Sequence, residues 1–257
     1  MLADRYDAFL FDLDGVLYRG SEPVPGAAAA LRTLRDAGKR VAFVTNNSSR
    51  TPEQVAERLR DVGIDADPAE VETSALATAE LLAGRGIRTA FVVGEEGILR
   101  ALAEAGISPV DGAIERVDVV VVGWDRRVDY EKLARASLLV ERGAALVATN
   151  ADASYPAPEG RLPGAGALLA AIVTTTGVTP EVVGKPFPLL LQAALARAGG
   201  GRPLVIGDRL DTDIAAASAL GWDSVLVLTG ISSRAEAETS RVRPTYVVKD
   251  LIALTEG

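Results

Sequence analysis

Two carboxylates stand one residue apart near the start of the chain, in the segment AFLFDLDGVLYRG. The apolar run 8–11 leads directly into Asp12 and Asp14, and Gly15 follows them. Neighbouring carboxylates repel each other unless a cation holds them. Mg²⁺ prefers oxygen ligands and leaves coordination positions for water and phosphate. The pair therefore indicates a cation and a reaction, and an Asx turn beside a solvated Asp is the alternative.

A second apolar run ends in acid in the segment PLVIGDRLDTDIAAA. Asp208 follows the run, and Asp211 and Asp213 precede an Ala-rich stretch. Helix capping accounts for part of this pattern, but capping needs one acid and the segment holds three. Asp208 is expected to complete a metal site with Asp12 and Asp14.

Two other segments carry groups that suit phosphate. In FVTNNSSR, Thr45, Asn46 and Asn47 offer a hydroxyl and two amides where a strand ends. Such groups bind phosphate oxygens, but small polar residues before a helix are also ordinary caps. In VVGKPFP, Lys185 is one of only four lysines and lies between Gly184 and a proline. A fixed ammonium there could neutralise a phosphoryl group, and a solvated loop lysine is the alternative.

The elements that must position these residues alternate along the chain. Apolar runs of strand length recur as AFLF, RVAFVT, TAFVVG, VDVVVVG, AALVATN, PLVIGD and SVLVLTG. Stretches with helical periodicity separate them, including Gly26–Ala37, stopped by Gly38, and Pro52–Val62. Strands without polar alternation, separated by helices, predict an α/β fold with a parallel sheet covered on both faces. Ligands of such sheets bind beyond the carboxyl ends of the strands.

The predicted strands that are followed by candidate site residues lie towards the two ends of the chain. Residues 79–181 contain a separate series of strands and helices and the loop-rich stretch NADASYPAPEGRLPGAGA. This arrangement predicts a core of residues 1–78 and 182–257, with a second α/β domain inserted at 79–181.

Composition excludes several kinds of chemistry. The 257 residues include no cysteine and no histidine, so thiolate nucleophiles, histidine bases and the usual zinc ligands are absent. The formal net charge of −8 disfavours nucleic acid and anionic membranes as partners. The N-terminal residues do not resemble a signal peptide, and no apolar stretch reaches the length of a membrane span. We therefore expect a cytoplasmic protein.

Taken together, DLDGVLYRG, VTNNSSR, GKPFP and GDRLDTDI resemble the four motifs of the haloacid dehalogenase superfamily, in the form found in its subfamily IIA. The resemblance covers essentially the whole chain, and no motif position departs from it. It implies a Rossmann-like parallel-sheet core and an inserted α/β cap of the C2 type. GWDRRVDYEKL, ATNADASYP and PGAGA are similar to cap sequence.

The resemblance also implies roles for individual residues. Asp12 is the expected nucleophile, and Asp14 the expected general acid and then base. Mg²⁺ would be held by the Asp12 side chain, the Asp14 backbone carbonyl and Asp208. Asp213 would contact the residues that bind the metal, or would reach the metal through a water molecule.

The remaining motif residues take supporting roles in this comparison. Thr45, Asn46 and Lys185 would bind the phosphoryl oxygens, and Asn47 would do the same or face the cap. Gly15 would allow the turn that brings Asp14 over the phosphate. Asp211 is expected at the surface or as a helix cap.

The expected activity is hydrolysis of small phosphate monoesters such as glycerol phosphate, phosphoglycolate or p-nitrophenyl phosphate. A phosphatase of nucleotides or pyridoxal phosphate is the alternative within the family. A phosphomutase or phosphotransferase is a different enzyme choice within the same fold. A non-hydrolytic phospho-acceptor or phosphate-binding module is the alternative of a different class. The expected partner is a small phosphorylated metabolite, and a homodimer through the cap is expected by analogy. Trp124, Tyr155 and Arg161 fall in cap loops where a leaving group could bind.

Overall fold

The computed structural model describes residues 2–112, 114–157 and 160–255, and the chain divides into two compact units. The first unit contains Met1–Thr45, Pro52–Glu72 and Lys185–Gly257, and the second contains Asn46–Thr51 and Thr73–Gly184. The first unit is therefore built from both end regions of the chain.

The strands are β1 (Ala8–Phe11), β2 (Tyr18–Arg19), β3 (Glu22–Pro23), β4 (Arg40–Thr45), β5 (Val71–Thr73), β6 (Thr89–Val93), β7 (Ser108–Val110), β8 (Val119–Val122), β9 (Ala145–Ala148), β10 (Ser154–Ala157), β11 (Gly160–Pro163), β12 (Glu181–Val182), β13 (Pro203–Gly207), β14 (Asp223–Val227) and β15 (Tyr246–Val248). The helices are α1 (Ala27–Asp36), α2 (Pro52–Asp61), α3 (Ser74–Gly84), α4 (Glu96–Glu104), α5 (Tyr130–Glu141), α6 (Ala165–Thr176), α7 (Leu189–Arg197), α8 (Ala215–Ala219) and α9 (Arg234–Thr239). A π-helical turn, Leu210–Ile214, precedes α8.

A six-stranded sheet forms the centre of the first unit, in the order β15–β14–β13–β1–β4–β5. Strand β1 pairs in parallel with β13 and β4, and β14 pairs in parallel with β13 and β15. All four residues of β1 are buried, as a strand covered on both faces requires. The sheet confirms the α/β fold class predicted from the alternating strands and helices.

Three neighbouring strands of this sheet end beside predicted site residues. Asp12 follows β1, Asp208 follows β13, and Thr45 is the last residue of β4. In the register, Phe11 of β1 lies opposite Ile206 on one side and Phe43 on the other. Because the strands are parallel, their carboxyl ends reach the same edge of the sheet, and this edge is where a ligand is expected.

The second unit has its own five-stranded sheet, in the order β12–β9–β8–β6–β7. Its neighbouring strands pair in parallel, and the four valines of β8 are buried at its centre. Leu139 of α5 and Ile172 of α6 belong to its apolar core. Strands β10 and β11 form a separate antiparallel pair.

The predicted inserted domain and the second compact unit differ at their starts. The prediction begins at residue 79, which lies inside α3, whereas the compact unit takes in α3 from Ser74. Thr73 caps this helix, because its side chain accepts a hydrogen bond from the Leu76 N–H at 3.1 Å, so the helix forms as one element. The assignment of this unit as a substrate cap stays a prediction. None of the helices in the described ranges combines the length and apolar character that a membrane crossing needs.

Candidate active site

Asp12 is held at the carboxyl end of the central strand. Its backbone N–H continues the sheet by donating to the Ile206 carbonyl of β13 at 2.9 Å. Its side chain is 15% exposed, and Oδ1 accepts a hydrogen bond from Lys185 Nζ at 2.5 Å. The carboxylate predicted to be the nucleophile is thus fixed through its backbone on one side and through an ammonium on the other.

Lys185 lies between two carboxylates. Besides its bond to Asp12, Nζ donates to Oδ1 of Asp213 at 2.7 Å and reaches the Val44 carbonyl of β4 at 3.5 Å. The lysine side chain is only 3% exposed. It is therefore a buried ammonium with two anionic partners, and not a solvated loop lysine.

Asp208 and Asp213 add two nearly fully buried carboxylates. Oδ2 of Asp208 accepts a hydrogen bond from the Ile231 N–H at 2.7 Å, and Oδ2 of Asp213 accepts one from the Arg209 N–H at 3.1 Å. Asp12, Asp208 and Asp213 each offer one oxygen, and these oxygens lie within 4.8 Å of one another. This spacing lets a single cation contact all three.

The charges of this cluster do not balance, since three carboxylates face one lysine. Burial raises the pKa of Asp12 well above its usual range, with Lys185 opposing the shift and the neighbouring carboxylates reinforcing it. Burial and the charge of Asp213 raise the pKa of Asp208 to about 6. Burial disfavours the charged form of Lys185, but its two carboxylate partners outweigh this effect and raise its pKa. A hard divalent cation fits this donor set, because it prefers oxygen and would supply the missing positive charge.

Glycines make room for the buried acids. A Cβ placed on Gly207, the last residue of β13, would collide with the carboxyl group of Asp213. A Cβ placed on Gly230 would collide with the carboxyl group of Asp208. Any side chain at either position would displace one of the three clustered carboxylates.

Asp14 occupies an exposed turn just beyond β1. The next residue, Gly15, has φ +80° and donates its N–H to the Tyr18 carbonyl at 2.8 Å. A Cβ at Gly15 would come within 2.5 Å of Asp208 Oδ2, so the turn passes directly beside the acid cluster. The proton-transfer role of Asp14, and metal binding by its backbone carbonyl, stay predictions.

The predicted phosphate-binding residues after β4 divide between the two units. Thr45 is buried and belongs to the first unit, and Asn46 and Asn47 belong to the second. Asn46 Nδ2 donates to Asp152 at 3.2 Å, and Asn47 Oδ1 accepts hydrogen bonds from the N–H and hydroxyl of Ser49 at 2.9 and 2.8 Å. The bonds of Asn47 are those of a local loop motif. Phosphate binding by all three residues stays a prediction.

Asp211 is the acid of this segment that points away from the cluster. Its carboxylate is 69% exposed and forms a two-point ion pair with the Arg209 guanidinium, at 3.0 and 2.8 Å. By contrast, Asp213 lies within the trio of carboxylates that could hold a cation. The family resemblance implies that it contacts the residues that bind the metal, or reaches the metal through a water molecule. Which of these residues binds metal stays a prediction.

The sequence did not single out the loop that follows β14, residues 229–232. Its Ile231 N–H binds Asp208, and its Thr229 hydroxyl donates to the Gly15 carbonyl at 2.6 Å. The letters TGIS after an apolar run are the available signal, because they mark another strand of the same sheet that ends in small polar residues.

Two family models match the chain. Residues 9–108 match the haloacid dehalogenase-like hydrolase model, and residues 182–254 match a second model, described as HAD-hydrolase-like. The first matched segment contains Asp12, and the second contains Lys185, Asp208 and Asp213. The matches thus cover the acid cluster and the lysine paired with it.

Individual relatives are similar over nearly the whole chain. An acid sugar phosphatase of Staphylococcus aureus is 43% identical over 96% of this chain and 96% of its own length. A glycerol phosphate phosphatase of Mycobacterium tuberculosis is 41% identical over 98% of this chain and 76% of its own. Its structure with calcium superposes with a TM-score of 0.94. A thermostable p-nitrophenylphosphatase of Bacillus stearothermophilus, in a variant form, is 41% identical over 96% of this chain and 97% of its own, with a TM-score of 0.86.

Proposed function

The chain belongs to the haloacid dehalogenase-like hydrolases, within subfamily IIA, and we propose that it hydrolyses small phosphate monoesters through a phosphorylated Asp12 with the help of a divalent cation. The observation that carries this proposal is the convergence of three carboxylates on one point, with Lys185 paired to two of them. The chemistry is that of a phosphoric monoester hydrolase.

We propose Mg²⁺ as the cation, held by Asp12, Asp208 and Asp213 or the Asp14 backbone carbonyl. The relative from Mycobacterium tuberculosis was solved with magnesium as well as with calcium. A bound divalent cation supplies positive charge that keeps the carboxylates ionised and neutralises phosphoryl oxygens.

In the first step, a carboxylate oxygen of Asp12 attacks phosphorus while the bond from phosphorus to the ester oxygen breaks. The carboxyl group of Asp14 donates its proton to the departing oxygen, so an alcohol leaves and an aspartyl phosphate remains. The chain has no histidine, and a carboxyl group is therefore an available proton donor.

In the second step, a water oxygen attacks phosphorus and the bond from phosphorus to the Asp12 oxygen breaks. The Asp14 carboxylate accepts a proton from this water, which returns Asp14 to its acid form and releases inorganic phosphate. Lys185 stays charged throughout, because its two carboxylate partners stabilise the ammonium. It can hold Asp12 in place and offset the phosphoryl charge.

The substrates that we propose are sugar phosphates, glycerol phosphate and p-nitrophenyl phosphate, because these compounds stand in the names of the relatives. The cap role of residues 79–181, the homodimer and the cytoplasmic location stay predictions.

A phosphate-release screen tests the proposal. The purified protein is incubated with a panel of sugar phosphates, glycerol phosphate, phosphoglycolate, pyridoxal phosphate, nucleotides and p-nitrophenyl phosphate, with Mg²⁺ or with EDTA. We expect free phosphate from several small esters with Mg²⁺ and none with EDTA. The Asp12→Asn variant serves as the inactive control. Phosphate release at the wild-type rate from this variant, or transfer of the phosphoryl group to a second metabolite without phosphate release, would falsify the proposal.

A further inference from the structure

The loop after β14 fixes the turn that carries Asp14. The Thr229 hydroxyl donates to the Gly15 carbonyl at 2.6 Å, and the Thr229 carbonyl accepts a hydrogen bond from Arg19 Nε. Gly15 and Arg19 belong to the segment that leaves the carboxyl end of β1 and returns as β2. One threonine therefore contacts this segment at two points, from a position more than 200 residues further along the chain.

The loop and the turn lie close together because each has a glycine where they meet, Gly230 in the loop and Gly15 in the turn. A Cβ on Gly15 would lie 3.0 Å from the Gly230 Cα and 2.5 Å from Asp208 Oδ2. The loop itself is tied to Asp208, since the Ile231 N–H donates to Oδ2 at 2.7 Å and the Ser232 N–H donates to the backbone carbonyl at 3.0 Å. The loop is thus bound to Asp208 at two points and lies directly against the Gly15 turn.

Gly15 needs such a support. Its φ of +80° lies in the left-handed region, where glycine moves freely among conformations that other residues cannot adopt. Its N–H is bound locally, by the Tyr18 carbonyl, within the same turn. Its carbonyl is bound by Thr229, and this bond joins the turn to the framework of the sheet. The Thr229 hydroxyl is therefore the contact that ties the carbonyl of the residue after Asp14 to the loop that follows β14.

We infer that Thr229 is a positioning residue that holds the Gly15 turn so that the Asp14 carboxyl group reaches the departing ester oxygen. The inference rests on the proposed function, in which Asp14 donates that proton. Misplacing a proton donor by about 1 Å costs up to about 100-fold in rate, and the cost matters most when the leaving group is a strong base.

The test compares p-nitrophenyl phosphate, which has a good leaving group, with phenyl phosphate, which has a poor one. In Thr229→Val, which keeps the shape and loses the hydroxyl, we expect kcat/KM to fall about 10- to 100-fold for phenyl phosphate and less than about 3-fold for p-nitrophenyl phosphate. Thr229→Ser restores the hydroxyl and should restore both values. Thr33→Val is the matched control, because that hydroxyl also donates to a backbone carbonyl, within α1, and should change neither value.

Direct calorimetric titration with Mg²⁺ separates the inference from a role at the cation. We expect Thr229→Val to bind Mg²⁺ as tightly as the wild type. An equal loss on both esters, no loss on either, or weaker Mg²⁺ binding with unchanged leaving-group sensitivity would overturn the inference. If the valine variant does not fold, Thr229→Ala is judged by the same criteria. Failure of the wild type to release phosphate from either ester would refute the proposed function itself, and is seen before any variant is made.

Discussion

The carboxylates at the two edges of the core sheet have different surroundings. At the amino edge, where the strands begin, the Tyr6 hydroxyl donates to Asp223 at 2.9 Å and lies 3.2 Å from the Tyr246 hydroxyl. Arg202 donates to the same aspartate at 2.8 Å, and its guanidinium lies over the Tyr6 ring at 4.9 Å. The Thr245 hydroxyl also donates to Asp223. Asp223 at this edge therefore has one cationic partner and two hydroxyl donors.

At the carboxyl edge, three carboxylates lie close together, and the Lys185 ammonium pairs with two of them, Asp12 and Asp213. Oxygens of Asp12, Asp208 and Asp213 approach one another within 4.8 Å, although all three side chains are largely removed from water. The pKa values reflect the difference between the edges. Burial raises the pKa of Asp208, whereas at the amino edge hydrogen bonds from Tyr6 and Arg202 outweigh burial and lower the pKa of Asp223. A buried cluster of like charges costs stability, and it is retained where it has a function.

The largest expected effect comes from Lys185→Met at the carboxyl edge. This change leaves Asp12 and Asp213 buried without their cation, and breaking a buried pair in this way costs about 3–5 kcal/mol. Loss of the fixed ammonium should also lower kcat/KM for p-nitrophenyl phosphate about 100- to 1000-fold. Urea unfolding in EDTA and steady-state kinetics with Mg²⁺ measure the two effects.

Lys249→Met is the control for this prediction, because Lys249 is exposed. We expect it to leave both the stability and kcat/KM within error of the wild type. Equal behaviour of the two lysine variants would show that the ammonium at the acid cluster contributes nothing.

A second prediction concerns the pH dependence of stability, which should be opposite for the carboxylates at the two edges. The folded-state pKa of Asp208 is about 6, above its unfolded value, so the metal-free protein loses stability as the pH rises from about 4 to about 6. Above that window Asp208→Asn should be more stable than the wild type by on the order of 2–3 kcal/mol. The lowered pKa of Asp223 has the opposite consequence, because its stabilisation is present above the unfolded pKa and is lost as the pH falls through the folded value.

Urea unfolding in EDTA at pH 4 and pH 8 measures the free energy of unfolding of the wild type and of variants at each edge. At pH 8, Asp208→Asn should stabilise the protein and Asp223→Asn should destabilise it by about 1 kcal/mol. Added Mg²⁺ should remove the advantage of Asp208→Asn, because the wild type gains the cation and the variant does not. Two variants that shift stability in the same direction at pH 8 would contradict the contrast between the edges.

The smallest expected effect is that of Tyr6→Phe at the amino edge. The variant keeps the buried ring and loses the hydroxyl that bridges Asp223 and Tyr246, which should lower the free energy of unfolding by about 1 kcal/mol. The activity with Mg²⁺ should not change, because the hydroxyl lies at the edge opposite the acid cluster. A loss of kcat without a change in stability would show that Tyr6 takes part in the reaction. It would contradict the claim that the amino edge contributes to stability and not to catalysis.

Part of this organisation can be predicted from the sequence. Apolar runs that end in acid locate Asp12 and Asp208 at strand ends, and the general rule for parallel sheets brings those ends to one edge. Lys185 is visible as a rare lysine in a turn between glycine and proline. These signals are local, and each can be detected from a few neighbouring residues.

The remaining features depend on contacts between distant residues. The bond from Lys185 to Asp213 spans 28 residues, and the bond from Thr229 to Gly15 spans 214, so no local pattern encodes either one. The amino-edge network is similar, since Tyr6 and Asp223 are ordinary residues at strand starts until the sheet brings them together. The start of α3 at Ser74 is also hard to locate from the sequence, because its cap, Thr73, lies before the apolar period of that helix begins.

The most direct test of the central claim is to trap the phosphorylated enzyme. Asp14→Asn should still be phosphorylated by p-nitrophenyl phosphate, whose leaving group needs little help, but should hydrolyse the intermediate slowly because the base is missing. Acid quenching followed by mass spectrometry should then find one phosphoryl group on the peptide that contains Asp12, and none when Asp12→Asn is added to the same variant. A phosphoryl group on any other peptide, or its persistence in the double variant, would contradict the account.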